Sequence, residues 1–344
     1  MLKKVLLSFV ALLITGSVFM AGAVIYFANE LNLPIQLQQE RVIQVARGSS
    51  LSKVIYQLAA DDIVVHPRPL IFYARYNHLT NIKAGEFLVT PGMTNVELLH
   101  HFVSGEVINY RVTLVEGKTF KDYLSLLQAQ DKLEHKTVGL TPEEVSKKIG
   151  LTQFYEGWFA PETYTYQHGM SDLDILQMAY ERQQKLLAEA WAQKKDGIPV
   201  KSPYEALIMA SLIEKETGAV HERPLISGVL SRRLQKGMRL QSDPTTIYGM
   251  GDRYKGNLRL KDLQEDNPYN TYRIKGLPPT PIANPGWDAI LSAVQPADGK
   301  ALYFVAKGDG THQFSDTLVE HNEAVRKYQI FKRRKDYQSA PGQN

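Results

Sequence analysis

Two glutamates stand at the end of the run ALIMASLIEKETGAV, Ala206 to Val220, which is otherwise almost wholly apolar. A carboxyl group after a core-like segment either marks where the chain leaves the core or is held there to move a proton. The local signals predict a helix from about Pro203 to Thr217. Ser202 serves as N-cap, Pro203 takes the first helical position, Glu205 completes a capping box and Gly218 falls just beyond the end. Apolar residues surround the middle of this helix, which predicts burial. Positions two apart lie about 200° apart around a helix, so Glu214 and Glu216 cannot act as a facing pair.

Glu216 follows Met209, Leu212 and Ile213 by seven, four and three positions and shares their face, whereas Glu214 lies near Leu207, Ala210 and Ser211. The last turn of a helix carries partial negative charge, and partial burial adds a desolvation cost. Both disfavour the ionised form of Glu216 and raise its pKa, as a general acid working near neutral pH requires. On the helix alone, a Glu-Lys-Glu run fraying into solvent is the simpler account. The residues C-terminal to the helix weaken that account. ERPLISGVLSRRLQKG predicts a further helix ending at Gly237, and residues 238–286 then form a long segment rich in Asn, Thr, Tyr, Pro and Gly, read as irregular. Long loops in compact domains are functional or disordered, and the aromatics argue against disorder. Tyrosines among amides and hydroxyls suit a sugar, through stacking faces and hydrogen bonds, and suit a rigid capping loop equally.

The elements that must position these residues begin with a repeated unit. IQVARGSSLSKVIYQL, FLVTPGMTNVELLHHF and TLVEGKTFKDYLSLL each join a β-prone stretch to a glycine, Gly48, Gly92 and Gly117. Ser50, Thr94 and Thr119 follow two positions later, with apolar residues six, seven and ten positions after the glycine. That pattern predicts strand, tight turn, N-cap and amphipathic helix, three times over. The third copy opens the next domain.

At the N-terminus, Val5 to Ala28 is an uncharged run behind Lys3 and Lys4. As a helix it spans roughly 36 Å, enough to cross a hydrocarbon core of about 30 Å. A signal peptide has a shorter apolar region, so an uncleaved anchor is the better reading, although MAGA offers a cleavage site. The lysines put the N-terminus in the cytoplasm and the rest of the chain outside. The net charge of +4 over 344 residues is mild and implies no nucleic acid partner; FKRRK near the C-terminus reads as the solvated end of a helix. There is no cysteine, which excludes disulfides, thiolate metal sites and a cysteine nucleophile, and the nine histidines lack metal-ligand spacing. No metal or cofactor is expected.

ASLIEKET, GMRLQSDPTTIYGMG, YNTYRIKGLPPTPIANPG and EGWFAPETY, with the terminal LYFVAKGDGTHQFSDTLVEHN, together resemble the YceG-like endolytic murein transglycosylases over nearly the whole chain. The first two repeated units, with IKAGEF leading the second strand, loosely resemble a LysM-like module, a class associated with glycan binding. The expected fold class is therefore α+β. Residues 1–28 form a cytoplasmic tip and transmembrane helix, 29–40 a linker, 41–107 the small LysM-like α+β module, 108–335 a mixed α+β catalytic domain and 336–344 a tail.

The resemblance implies a membrane-anchored lyase that cuts the MurNAc-GlcNAc bond of peptidoglycan glycan strands at the outer face of the cytoplasmic membrane, leaving 1,6-anhydro ends. It maps the family's catalytic glutamate onto Glu216, leaves Glu214 a structural role, and suggests peptidoglycan synthases (penicillin-binding proteins) as partners. Gln241, Thr246, Asn270, Tyr272 and Glu162 are candidate substrate contacts. Asp243 is expected to make an Asx turn before Pro244. Two other functions stay open: a glycan-binding scaffold without turnover, and a hydrolytic muramidase using Asp243 or Glu162 as a second carboxylate.

Overall fold

The computed structural model describes residues 2–151 and 154–331 of the chain. The expected tail at 336–344 and all of FKRRK beyond its first residue lie outside them. The fold is mixed α+β with a long apolar N-terminal helix. It divides into two compact units: one takes residues 1–110 and 166–169, the other residues 111–165 and those from Met170 onward.

The first unit begins with α1 (Leu2–Asn32), then β1 (Arg41–Val45), α2 (Leu51–Ala60), α3 (Pro67–Tyr76), β2 (Gly85–Val89) and α4 (Asn95–Ser104). β1 and β2 pair antiparallel, Ile43 opposite Phe87. Helix α1 runs past the Ala28 boundary because its last turn is gripped by the unit: Leu31 packs against the core, and Asn95 Nδ2 donates to the Glu30 carbonyl at 2.8 Å. Ile55, Leu58, Phe87, Leu98 and Phe102 lie at the centre of that core.

The repeated unit takes the form its sequence predicts. Gly48, Gly92 and Gly117 have φ of 76°, 88° and 71°. Ser50, Thr94 and Thr119 each accept a backbone N–H of the first turn they cap.

β3 (Asn109–Thr113) and its partner β4 (Thr163–Gln167) each have residues in both units, and the second unit also holds α5 (Phe120–Gln128), α6 (Pro142–Lys148) and the long α7 (Asp172–Ala192). Then follow α8 (Pro203–Glu216), α9 (Arg223–Gln235), α10 (Asp243–Met250), α11 (Leu260–Gln264) and α12 (Trp287–Val294). A hairpin of β5 (Tyr303–Ala306) and β6 (His312–Ser315) precedes α13 (Leu318–Val325). The core is built around α8, whose residues 206–213 are all buried and which packs on α7, α9 and α12.

Four local expectations need correction. Ser202 does cap α8, but Glu205 accepts from Lys201 N–H instead of closing a capping box on Ser202. α8 ends at Glu216, one residue short of the expected Thr217, which is its extended C-cap at φ −146°, with Gly218 just beyond as expected. The segment 238–286 is only partly irregular, since α10 and α11 lie within it. Asp243 opens α10 instead of making an Asx turn.

Candidate active site

Glu216 is the last residue of α8, so its side chain leaves the core where the helix stops. Ser242, the residue before α10, is buried and donates its hydroxyl to Glu216 Oε1 at 2.5 Å. The serine is an N-cap by position, but its side chain makes no cap bond because the glutamate takes it. Ser242 is fixed in turn by Thr271, whose Oγ1 accepts the Ser242 N–H at 2.9 Å, and by Thr245, whose Oγ1 donates to the Ser242 carbonyl at 2.7 Å. The irregular segment thus holds the hydroxyl that holds the carboxyl.

Some of the Glu216 surface stays open, yet protein surrounds its carboxyl group closely enough that burial pushes the pKa up to about 7. The Ser242 hydrogen bond and the Arg233 guanidinium oppose that rise, and the negative charge of Asp243 adds to it. Arg233 is held in place by three backbone carbonyls, those of Leu302, Leu240 and Arg239. Near neutral pH Glu216 therefore populates both forms and can give or take a proton.

Glu214 faces elsewhere. Its side chain is buried, with Oε1 2.8 Å from Arg223 Nη2, and its Oε2 accepts the Gly286 N–H at the start of α12. It ties α8 to α9 and α12. Arg223 also reaches Glu116 at 3.2 Å. A side chain on Gly286 would run into the Glu116 carboxylate, which would have to move aside. Burial raises the Glu214 pKa, with Arg223 opposing.

The five predicted contacts separate into three groups. Gln241 and Tyr272 come to the Glu216 site. Gln241 directly precedes Ser242, is exposed, and holds a left-handed backbone at φ 53°. Such a conformation in a non-glycine residue costs about 1 kcal/mol or more and is kept where the surroundings enforce it; here Gln241 N–H donates to the Thr271 carbonyl and its side chain accepts from Arg233. Tyr272 donates its hydroxyl to Asp243 Oδ1 at 2.6 Å.

Thr246 and Asn270 turn inward. Both are buried, Thr246 donates to Asn270 Oδ1, and Asn270 Nδ2 donates to the carbonyls of Glu265 and Leu263. They build the loop itself. Glu162 is exposed just before β4 and pairs with Arg182 at 3.2 Å, sharing no partner with Glu216.

Sequence reasoning missed Ser242, Arg233 and Glu156. Ser242 had one local signal, a serine ahead of Asp-Pro, which marks an N-cap. Glu156, in EGWFAPETY, is buried and accepts from Phe120 N–H at 2.9 Å and from the Tyr248 hydroxyl at 3.2 Å. Burial pushes its pKa up to about 7 as well. Its oxygens are taken up by the fold, including Asn284 at 3.3 Å, whereas Glu216 accepts from Ser242 and keeps an open side. Among the described residues no cluster of three or more His, Cys, Asp or Glu is placed to hold a metal.

The buried helix α8 thus ends in a carboxyl group with a raised pKa, hydrogen-bonded to Ser242, with the Tyr272 and Gln241 side chains nearby, and such a group is chemically able to give or take a proton. The chain belongs to the YceG-like family, whose model matches residues 43–327. It is 29% identical over 329 residues to the endolytic murein transglycosylase of Bacillus subtilis (strain 168), covering 89% of this chain and 90% of that one. The protein of the same name from Streptococcus pneumoniae serotype 2 is 28% identical over 357 residues; the match takes 93% of this chain and 63% of the longer pneumococcal one. A crystal structure of a YceG-like protein from Listeria monocytogenes is 29% identical, with a TM-score of 0.52 over 83% of this chain and 99% of that one.

Proposed function

We propose that this protein is a membrane-anchored endolytic lytic transglycosylase that cleaves the MurNAc-GlcNAc bond of peptidoglycan glycan strands, with Glu216 as its single acid and base. The observation that carries this reading is the Glu216 carboxyl at the end of a buried helix, hydrogen-bonded to Ser242 and poised near neutral pH. The names of the Bacillus and Streptococcus relatives supply the substrate class.

The chemistry balances without water or a second carboxylate. Protonated Glu216 gives its proton to the glycosidic oxygen as the bond from that oxygen to the muramic acid C1 breaks. The resulting carboxylate faces the positive charge that develops at C1, supported by Ser242 and Arg233. It then removes the proton of the C6 hydroxyl as that oxygen bonds to C1. A 1,6-anhydro ring forms and Glu216 is protonated again. The nucleophile belongs to the same sugar, which supplies the proximity that an external water lacks.

Gln241 and Tyr272 are the predicted contacts we retain for direct glycan binding. Thr246 and Asn270 act through the loop, and Glu162 lies outside the proton-transfer set. In the first unit, the order strand, helix, helix, strand with an antiparallel pair supports the LysM-like reading of 41–107. We read α1 as an uncleaved single span with the N-terminus cytoplasmic and both units outside, where glycan strands and the synthases that make them are met.

Glu216→Gln should retain the fold and lose cleavage of purified peptidoglycan by about 10²–10⁴-fold, the usual cost of removing a general acid. Glu214→Gln that folds and still cuts completes the assignment. Loss of turnover at 214 with retention at 216 would reverse it, and full turnover by both would leave Glu216 without a role.

A further inference from the structure

The first unit carries an exposed aromatic face that its own core does not use. Helix α3, PRPLIFYARY, has two arginines and no acidic residue. It buries Pro69, Leu70, Ile71 and Ala74. Arg68, Phe72 and Tyr76 follow at four-residue intervals, so they form one outward stripe. Phe72 is 62% exposed and Tyr76 76% exposed. Their rings stack at 6.4 Å, and Phe72 meets Phe27 of α1 edge-on at 5.7 Å. Tyr26 lies beside Phe27, and a cavity of about 380 Å³ opens between Tyr26, Phe27, His66, Pro67, Arg68 and Pro69.

The height of this face is set by α1. About 20 helical residues cross a hydrocarbon core, so a span beginning just after Lys4 reaches the far boundary near Val24 and Ile25. Tyr26 and Phe27 then fall in the headgroup layer, where tyrosine and other amphipathic rings collect. The unit cannot swing away from that layer freely. Asn95 holds the Glu30 carbonyl through its side chain and the Leu33 carbonyl through its N–H, at 2.8 and 3.1 Å.

We propose that the first unit seats itself on the membrane surface through α3, with Phe72 and Tyr76 entering the headgroup layer of the outer leaflet and Arg68 meeting phospholipid phosphates. The occupant is lipid because the stripe continues the apolar surface of α1, ring to ring, and because a basic, aromatic helix without a carboxylate matches an anionic interface. Arginine reaches phosphate while its stem lies along apolar surface. The contact would fix the module at a set distance from the bilayer. The proposal rests on α1 being an uncleaved span.

The chain has no native cysteine, so single cysteines can carry a nitroxide spin label without further changes. The experiment uses the full chain in vesicles of phosphatidylethanolamine and phosphatidylglycerol, with labels at Phe72→Cys, Tyr76→Cys and the exposed α2 position Gln57→Cys. Collision with oxygen, which concentrates in lipid, is compared with collision with a water-soluble nickel chelate. Labels at 72 and 76 should favour oxygen and the label at 57 should favour nickel. Equal preference for nickel at all three positions overturns the proposal. Shielding of 72 and 76 from both reagents also overturns it, in favour of a protein partner. A label at Val10→Cys reports on α1 separately: oxygen preference at 10 with nickel preference at 72 sinks the docking alone, whereas nickel preference at 10 sinks the anchor reading beneath it.

Discussion

Replacing Glu216 with glutamine should make the second unit more stable as pH rises, because it removes a charge whose burial the fold resists. The group titrates near 4.5 when unperturbed and near 7 in the folded chain. Its folded pKa is raised, so between these values the native state holds more protons than the unfolded state, and stability falls with rising pH. The favourable contribution is fully present below pH 4.5 and is lost as pH climbs through 7. A rise of that size corresponds to about 3 kcal/mol at about 1.4 kcal/mol per unit. Most of it is lost between pH 5 and 8, and the partly open side chain reduces the effect to about 2 kcal/mol through solvent screening. Relative to wild type, Glu216→Gln should then gain about 4–8 °C in Tm between pH 5 and pH 8, for a domain of this size. All three tryptophans, Trp158, Trp191 and Trp287, lie in the second unit, so their fluorescence follows its melting. Glu156, raised in the same direction, should leave a residual slope in the variant. Identical pH slopes in wild type and variant would refute the claim that Glu216 is held protonated by burial.

Three further outcomes are expected from the same geometry. Ser242→Ala removes the hydrogen bond that favours the carboxylate, so the basic limb of the rate profile should move to higher pH while maximal turnover falls; an unmoved limb would detach Ser242 from the proton transfer. Glu214→Ala takes from buried Arg223 its nearest carboxylate, leaving Glu116 and Asp288, and should cost about 1.5–3 kcal/mol in urea denaturation, with little change in turnover by the folded fraction. A reporter active only outside the cytoplasm, fused after Asn344, should be active, and the full chain should stay with membranes after a high-salt wash; a shortened, released form would show cleavage near MAGA.

Local chemistry was legible in the sequence and long-range partnership was not. The glycine-hydroxyl-apolar spacing at Gly48, Gly92 and Gly117 gave three capped helices because turn and cap are settled within a few residues. The buried course of α8 followed from its apolar circumference. Its ends were less readable, since Lys201 competes for Glu205 and the last turn closes at Glu216 with Thr217 already extended. Ser242 reaches Glu216 across 26 positions, and no spacing rule spans that interval. Thr246 and Asn270 have inward hydrogen bonds that no spacing revealed: a long loop must satisfy its own backbone, and its polar side chains are drawn into that first. Glu214 and Glu216 differ by two positions and face different partners, as the helical turn requires.

The source of the attacking oxygen tests the account most directly. The full chain, without added metal and with a chelator present, is incubated with purified glycan strands in oxygen-18 water, and the fragments are weighed by mass spectrometry. A single-carboxylate transglycosylase predicts unlabelled, non-reducing muramic acid ends, each lighter by one water than the hydrolysis product. Labelled reducing ends as the main product would contradict it and require a second carboxylate, with Asp243, on the Tyr272 hydroxyl beside Glu216, the first to replace.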